Sequence, residues 1–196
     1  MQIKLVILLH GVGSCGQDLQ SIGQFWQHHY PELKIAMPNA PETFMHSSDA
    51  FQWFSIYGVT EANRFERIQQ ARQAFDETIQ AIIQTHQLED HLDQVMLCGF
   101  SQGTIMALDA VVSGRWAVAG IMGFSGRLAS PIEKNLSYKP KIHLMHGQQD
   151  QVIPISASVD AAYQLEQAGF PISLNIFNDL GHNINQAELE QSLSFF

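Results

Sequence analysis

Residues 97–108 read LCGFSQGTIMAL, and the GFSQG at 99–103 sets a serine between two glycines at a spacing of two. Ser101 is either a nucleophile or a hydroxyl in a turn that needs small neighbours. The pentapeptide alone does not decide, because a G-x-S-x-G match arises by chance in roughly one chain in ten or twenty of this length. The flanks say more. VMLC (95–98) is a short apolar run suited to a buried parallel strand. QGTIMALDAVV (102–112) spaces Ile105, Met106, Leu108, Val111 and Val112 for one face of a helix. Ser101 therefore falls on a tight strand-to-helix turn. The glycines let the backbone bend there and lift Oγ above the sheet at a helix N-terminus, the geometry of a nucleophile elbow.

A serine hydroxyl needs a base, and histidine is the side chain whose ordinary pKa lies near neutral pH. Nine histidines compete. His28, His29, His86 and His91 lie on or beside surface helices, and His46 lies in a long loop. His10 and His146 each precede a glycine at a strand end, where backbone packing near a site is the usual role. His143 sits within a strand. His182, in DLGHN, follows the last strand in a turn-rich segment that can carry an imidazole to Oγ. The base needs a carboxylate to fix its tautomer. Asp150 in HGQQDQVIP follows the fifth strand and can approach the ring from its far side. Asp179 is the rival, but three residues from His182 it is better placed to brace the histidine loop. A tetrahedral oxyanion needs backbone N–H donors. Gln102, just after the serine, offers one. HGVG (10–13) offers the second, and Val12 flanked by Gly11 and Gly13 is the expected donor.

These positions imply elements to hold them. Apolar runs alternate with helical patterns along the chain. Strands are expected at 3–9, 34–37, 95–98, 118–124, 141–147 and 172–177. Helices are expected at 17–29, 63–86, 102–113, 156–168 and 185–195. The alternation predicts a mostly parallel sheet with helices on both faces. Ligands then bind beyond the carboxyl ends of the strands. HGVG, Ser101, HGQQD and His182 all fall at that edge. Residues 38–60 read as a long loop with aromatic clusters, and loops of that length in compact domains are usually functional.

Composition narrows the classes. At 196 residues with 45% apolar and 15% charged residues, the chain is expected to form one globular domain spanning 1–196. A net charge of −9 argues against a nucleic-acid surface and against stable attachment to an anionic membrane. Two cysteines, one on a strand and one in a loop, suggest no disulfide framework and fit a reducing compartment, so the expected address is cytoplasmic. The opening MQIKLVILLHG has too short an apolar run for a secretory signal, and no run reaches membrane-spanning length.

With LLHGVG, MPNAP, QWF, GFSQG, HGQQDQVIP and DLGH in hand, the chain resembles the bacterial carboxylesterase and acyl-protein thioesterase family of α/β-hydrolases, from about Ile3 to Phe195. QWFSIYGVTEANR and GFSQGTIMAL look especially like small enterobacterial esterases. The resemblance implies a triad of Ser101, Asp150 and His182, with Val12 and Gln102 as oxyanion donors. It implies no metal and no cofactor, and substrates that are short to medium acyl esters, with thioesters of acylated proteins or lysophospholipids as alternatives. Trp53 and Phe54 would line the acyl side of the cleft with Gly13 beside them, although aromatics in a long loop also serve as plain anchors. Many relatives read Trp-Phe-Asp where this chain has Trp53-Phe54-Ser55. Only nine residues precede His10, which leaves no room for an N-terminal hairpin. Six parallel strands without a cap domain are expected. A hydrolase fold that binds without turnover, and a peptidase, are the weaker readings.

Overall fold

The computed structural model describes residues 2–196. Six strands form one sheet: β1 (Leu5–Leu9), β2 (Lys34–Ala36), β5 (Val95–Phe100), β6 (Gly120–Phe124), β7 (Lys141–Gly147) and β8 (Ile172–Phe177). Their order is β2-β1-β5-β6-β7-β8, and every pairing is parallel. Five α-helices connect and cover them: α1 (Gln20–His29), α2 (Arg64–Thr85), α3 (Gln102–Val112), α4 (Ser156–Gln167) and α5 (Gln186–Ser192). The expected doubly covered parallel sheet is the one observed. Ends differ by a residue or two, and the expected helices at 17–29 and 185–195 each include a 3₁₀ turn, at 16–19 and 193–195.

Strand period two explains the two layers. LVILL in β1 is apolar throughout because both faces are covered. Leu5, Ile7 and Leu9 pack with Ile68, Phe75, Ile79 and Ile83 of α2 and with α3 and α4. Val6 and Leu8 point the other way, to Trp26 of α1 and Phe195 at the C-terminal end. β1 lies between β2 and β5, so the chain winds outward from it in both directions. The crevice at that switch point opens at the carboxyl edge, beside the β1 and β5 ends that carry HGVG and Ser101.

The 38–60 segment is not a featureless loop. It holds a two-stranded antiparallel hairpin, β3 (Glu42–Thr43) with β4 (Phe51–Gln52). Two residues per strand are too few to show a period in sequence. Its bonds lead to the crevice: Gly13 N–H donates to Phe51 O at 2.8 Å, and Phe51 N–H donates to Ser14 O at 2.9 Å.

Helix α3 is apolar on nearly every side, yet it carries Asp109, whose side chain is fully buried. Burial alone would raise that carboxyl. Hydrogen bonds from Arg72 and Ser130, together with the Arg115 guanidinium, outweigh it and hold the group below the usual carboxylate range. The Arg72 and Arg115 contacts are each 2.8 Å, and they tie α2 and the segment after α3 to the helix that starts at Ser101. Asp109→Ala leaves two part-buried guanidiniums without their shared partner, and the expected loss is about 3–5 kcal/mol. Urea unfolding of the variant checks this. A loss under about 1 kcal/mol would mean that solvent already screens the network.

Candidate active site

The elbow is built as its sequence suggests. Ser101 sits between β5 and α3 with φ 54° and ψ −114°, a left-handed conformation for a residue with a side chain. A Cβ on Gly103 would come within 2.0 Å of Leu9 O, and one on Gly99 within 2.3 Å of the Gly103 carbonyl carbon. The two glycines therefore exist for close approach of α3 to the strands. The neighbouring strand ends the same way. Gly123-Phe124 of β6 runs in register with Gly99-Phe100 of β5, and Ser125, just beyond it, also has positive φ, 47°.

The structure brings Ser101, His182 and Asp150 into one chain of hydrogen bonds. Asp150 Oδ2 accepts from His182 Nδ1–H at 2.6 Å, which leaves Nε2 unprotonated to accept from Ser101 Oγ–H at 3.0 Å. Burial would raise the Asp150 carboxyl. The bonds from His182 and from the Ile153 and Val152 N–H groups prevail and hold it below the usual range. Those two N–H groups both point at Oδ1, at 2.9 and 2.8 Å. Phe100 packs against the imidazole with ring centroids 4.9 Å apart. Asp179 is exposed and hydrogen-bonds none of the three side chains.

The oxyanion candidates lie alongside. Among the described residues, the N–H groups of Val12 and Gln102 have no hydrogen-bond acceptor. A Cβ on Gly11 would lie 3.3 Å from Ser101 Cβ, so the HGVG turn passes directly over the elbow. The Gly13 N–H is already used by Phe51 O, and the Gly13 backbone packs beside the Phe44 ring.

Trp53 and Phe54 do something other than line the cleft. They are 2% and 4% exposed and belong to the main core. The Trp53 indole N–H donates to His10 O at 2.9 Å, and the ring packs on Phe75. The Gln102 side chain clamps this pair, its Oε1 accepting from Trp53 N–H and its Nε2 donating to Phe54 O, both at 2.7 Å. His10 completes the scaffold. Its Nε2 accepts from Ala40 N–H at 2.9 Å and its Nδ1–H donates to Gly11 O at 2.7 Å. Burial holds its pKa below the usual value and keeps it neutral for this role. Ser55 accepts from Tyr57 N–H at 3.3 Å and closes a local turn. Phe44, Met45, Ile56 and Tyr57 border a groove of about 870 Å³ at the hairpin, whose lining includes none of Ser101, His182, Val12 or Gln102.

Cys98 is buried on β5, and burial pushes its thiol well above the usual range, so it is inert. Among the described residues, no group of three or more His, Cys, Asp or Glu side chains is placed to hold a metal, and no helix is long and apolar enough to cross a membrane.

A profile of the phospholipase/carboxylesterase family matches residues 2–196. The chain belongs to this family. It is an enzyme, a hydrolase of the α/β-hydrolase class. Esterase YpfH of Escherichia coli is 32% identical over 190 residues, spanning 97% of this chain and 80% of its own. Acyl-protein thioesterase 1 of Emericella nidulans is 25% identical over 211 residues, spanning 97% of this chain and 87% of its own. The crystal structure of esterase PE8 superposes with a TM-score of 0.89 at 31% identity, covering 99% of this chain and 91% of that one.

Sequence reasoning passed over one group near this site. Glu188, on α5 just beyond the His182 loop, is fully buried. Its Oε2 accepts from Asn185 N–H, and Asn185 Oδ1 accepts from Glu188 N–H, a reciprocal cap that N-x-x-E could have signalled. Among the described residues its Oε1 has no partner. Burial pushes the carboxyl up to about 7 from an ordinary 4.5. Between those values the folded chain holds a proton that the unfolded chain has lost, so stability falls as pH rises through that window. Above it the buried charge is fully felt. Glu188→Gln keeps the cap and removes the charge. It is expected to stabilise the protein at pH 8 by up to about 3 kcal/mol and to change little at pH 4.5. Thermal melts at the two pH values check this, and an equal gain at both would show that charge is not the cause.

Proposed function

We propose that Ser101, His182 and Asp150 hydrolyse carboxylic esters and thioesters through an acyl-enzyme. The observation that carries the reading is the aligned chain from Ser101 Oγ through His182 to Asp150, at 3.0 and 2.6 Å. His182 Nε2 takes the Ser101 proton as Oγ attacks the substrate carbonyl. The Val12 and Gln102 N–H groups receive the oxyanion, and a donor of this kind is worth about 3–4 kcal/mol in the transition state. The imidazolium then protonates the departing alkoxide, while a thiolate leaves with little help. Water, deprotonated by His182, releases the acid and restores Ser101.

The acyl or leaving group would lie along the groove under the hairpin, where Met45 and Tyr57 are exposed and Phe44 packs on Gly13. That lining favours an apolar chain of short to medium length. The E. coli relative is named as an esterase and the E. nidulans one as an acyl-protein thioesterase, so both substrate classes are proposed. The free thiols Cys15 and Cys98 favour a reducing compartment, the cytoplasm.

Initial rates on chromogenic esters and matching acyl thioesters of rising chain length test the reading, with a fluorophosphonate probe and peptide mass mapping beside them. Turnover with a chain-length optimum, and one adduct on Ser101, are expected. Labelling of a different serine, or a folded enzyme inert to every substrate, would refute it.

A further inference from the structure

In the sequence, His146 reads as a strand-end histidine suited to backbone packing. In the structure it is fully buried at the end of β7, and it reaches the same carboxylate as His182. Its Nε2 lies 3.1 Å from Asp150 Oδ2 and 2.9 Å from Ile153 O. A carbonyl only accepts, so Nε2 carries a proton, bonded to Ile153 O with the Asp150 Oδ2 charge close beside it. Its Nδ1 lies 2.7 Å from Ser158 Oγ on α4. Burial holds the imidazole below its usual pKa, so it is neutral and Nδ1 accepts from the Ser158 hydroxyl.

The count of donors at Asp150 is then complete. Oδ1 accepts two backbone N–H groups, and Oδ2 accepts from His182 with the His146 Nε2–H only 3.1 Å away. A carboxylate offers about four lone-pair sites; three accept hydrogen bonds here and the His146 N–H stands at the fourth. The group cannot rotate without breaking bonds. Each donor also draws off charge that would otherwise act on His182. No other titratable side chain among the described residues hydrogen-bonds Asp150, His146 or His182, and Asp179 in the His182 loop is exposed.

We propose that His146 is a positioning residue of the reaction: its Nε2–H fixes Asp150 Oδ2 on His182 and limits how strongly the carboxylate holds the imidazolium. Ser158 backs it, because a hydroxyl donating to Nδ1 makes Nε2–H the stronger donor. The inference rests on the triad reading above.

The test is the pH profile of kcat/KM on a chromogenic ester. His146→Leu removes the donor from Oδ2, the carboxylate holds the imidazolium more strongly, and the acid limb moves up by about one pH unit. His146→Gln places an amide N–H at comparable reach and returns the limb toward wild type. Ser158→Ala leaves both imidazoles in place and moves the limb the same way by less, which keeps the test available if the Leu variant does not fold. A role in packing alone would lower expression or kcat without moving the limb. Limbs that superpose on wild type in the folded variants would overturn the proposal. Phosphonate labelling of Ser101 in the same preparations reports the triad reading separately.

Discussion

Ser101→Ala lowers kcat on a chromogenic ester by about 10⁵-fold, and its residual rate stays above that of water alone. The methyl cannot attack a carbonyl, but the Val12 and Gln102 N–H groups are backbone and survive the change. Such groups and substrate binding retain about 10³-fold over the uncatalysed reaction in enzymes of this type. Stability separates two variants at the position. Ser101 holds φ 54° and ψ −114°, and strain of this sort costs about 1–3 kcal/mol. Alanine keeps the Cβ and the strain, whereas glycine adopts the conformation freely. Ser101→Gly is as inactive as Ser101→Ala, and it melts about 2–4 °C higher for each kcal/mol of strain released. Melting temperatures and single-turnover rates on the two purified variants check both halves. Equal melting would mean that the elbow stores no strain, and retained turnover in either would hand the chemistry to another nucleophile.

That strain is where the sequence spoke most clearly. Gly99 and Gly103 leave room for α3 against the strands, and the apolar strand and helix on either side set Ser101 on the turn between them. The sheet was legible for a similar reason. Runs such as LVILL and KIHLMHG are apolar through strand length, and the amphipathic spacing of α2 gives a helix without ambiguity. The carboxyl-edge rule then put Ser101, Asp150 and His182 near one another before any distance was known. What escaped was tertiary in origin. The resemblance implies a cleft aromatic at Trp53, yet its indole bonds His10 O across 43 residues, a pairing with no local signature. The hairpin at 42–52 is too short for a period. His146 and Glu188 are polar groups in apolar surroundings, and only the partners that surround them give them roles. His146 stands three strand positions from His143, and nothing in the sequence tells apart an imidazole bonded to Asn175 from one set against Asp150.

The same surroundings decide what Asp150→Asn does, and the expected loss is about 10⁴-fold in kcat with the fold retained. An amide has one acceptor and one donor end, so its effect depends on which end faces His182. Here the choice is forced. The Val152 and Ile153 N–H groups both point at Oδ1 and require an oxygen there. The NH₂ group therefore falls where Oδ2 was, facing two ring nitrogens that now donate. His182 responds by accepting the amide proton at Nδ1, which moves its own proton to Nε2. That tautomer cannot take the Ser101 proton. His146, held to Ile153 O, keeps its Nε2–H and meets the new NH₂ donor to donor. The variant should thus lose its base while Ser101, the elbow and the oxyanion groups stay in place. Phosphonate labelling of Ser101 slows in step with kcat, and a nitrogen-edited spectrum of the His182 ring places the proton on Nε2. A variant within about tenfold of wild type would show that the amide turns over against the two backbone donors, and that the Asp150 loop is looser than its bonds imply.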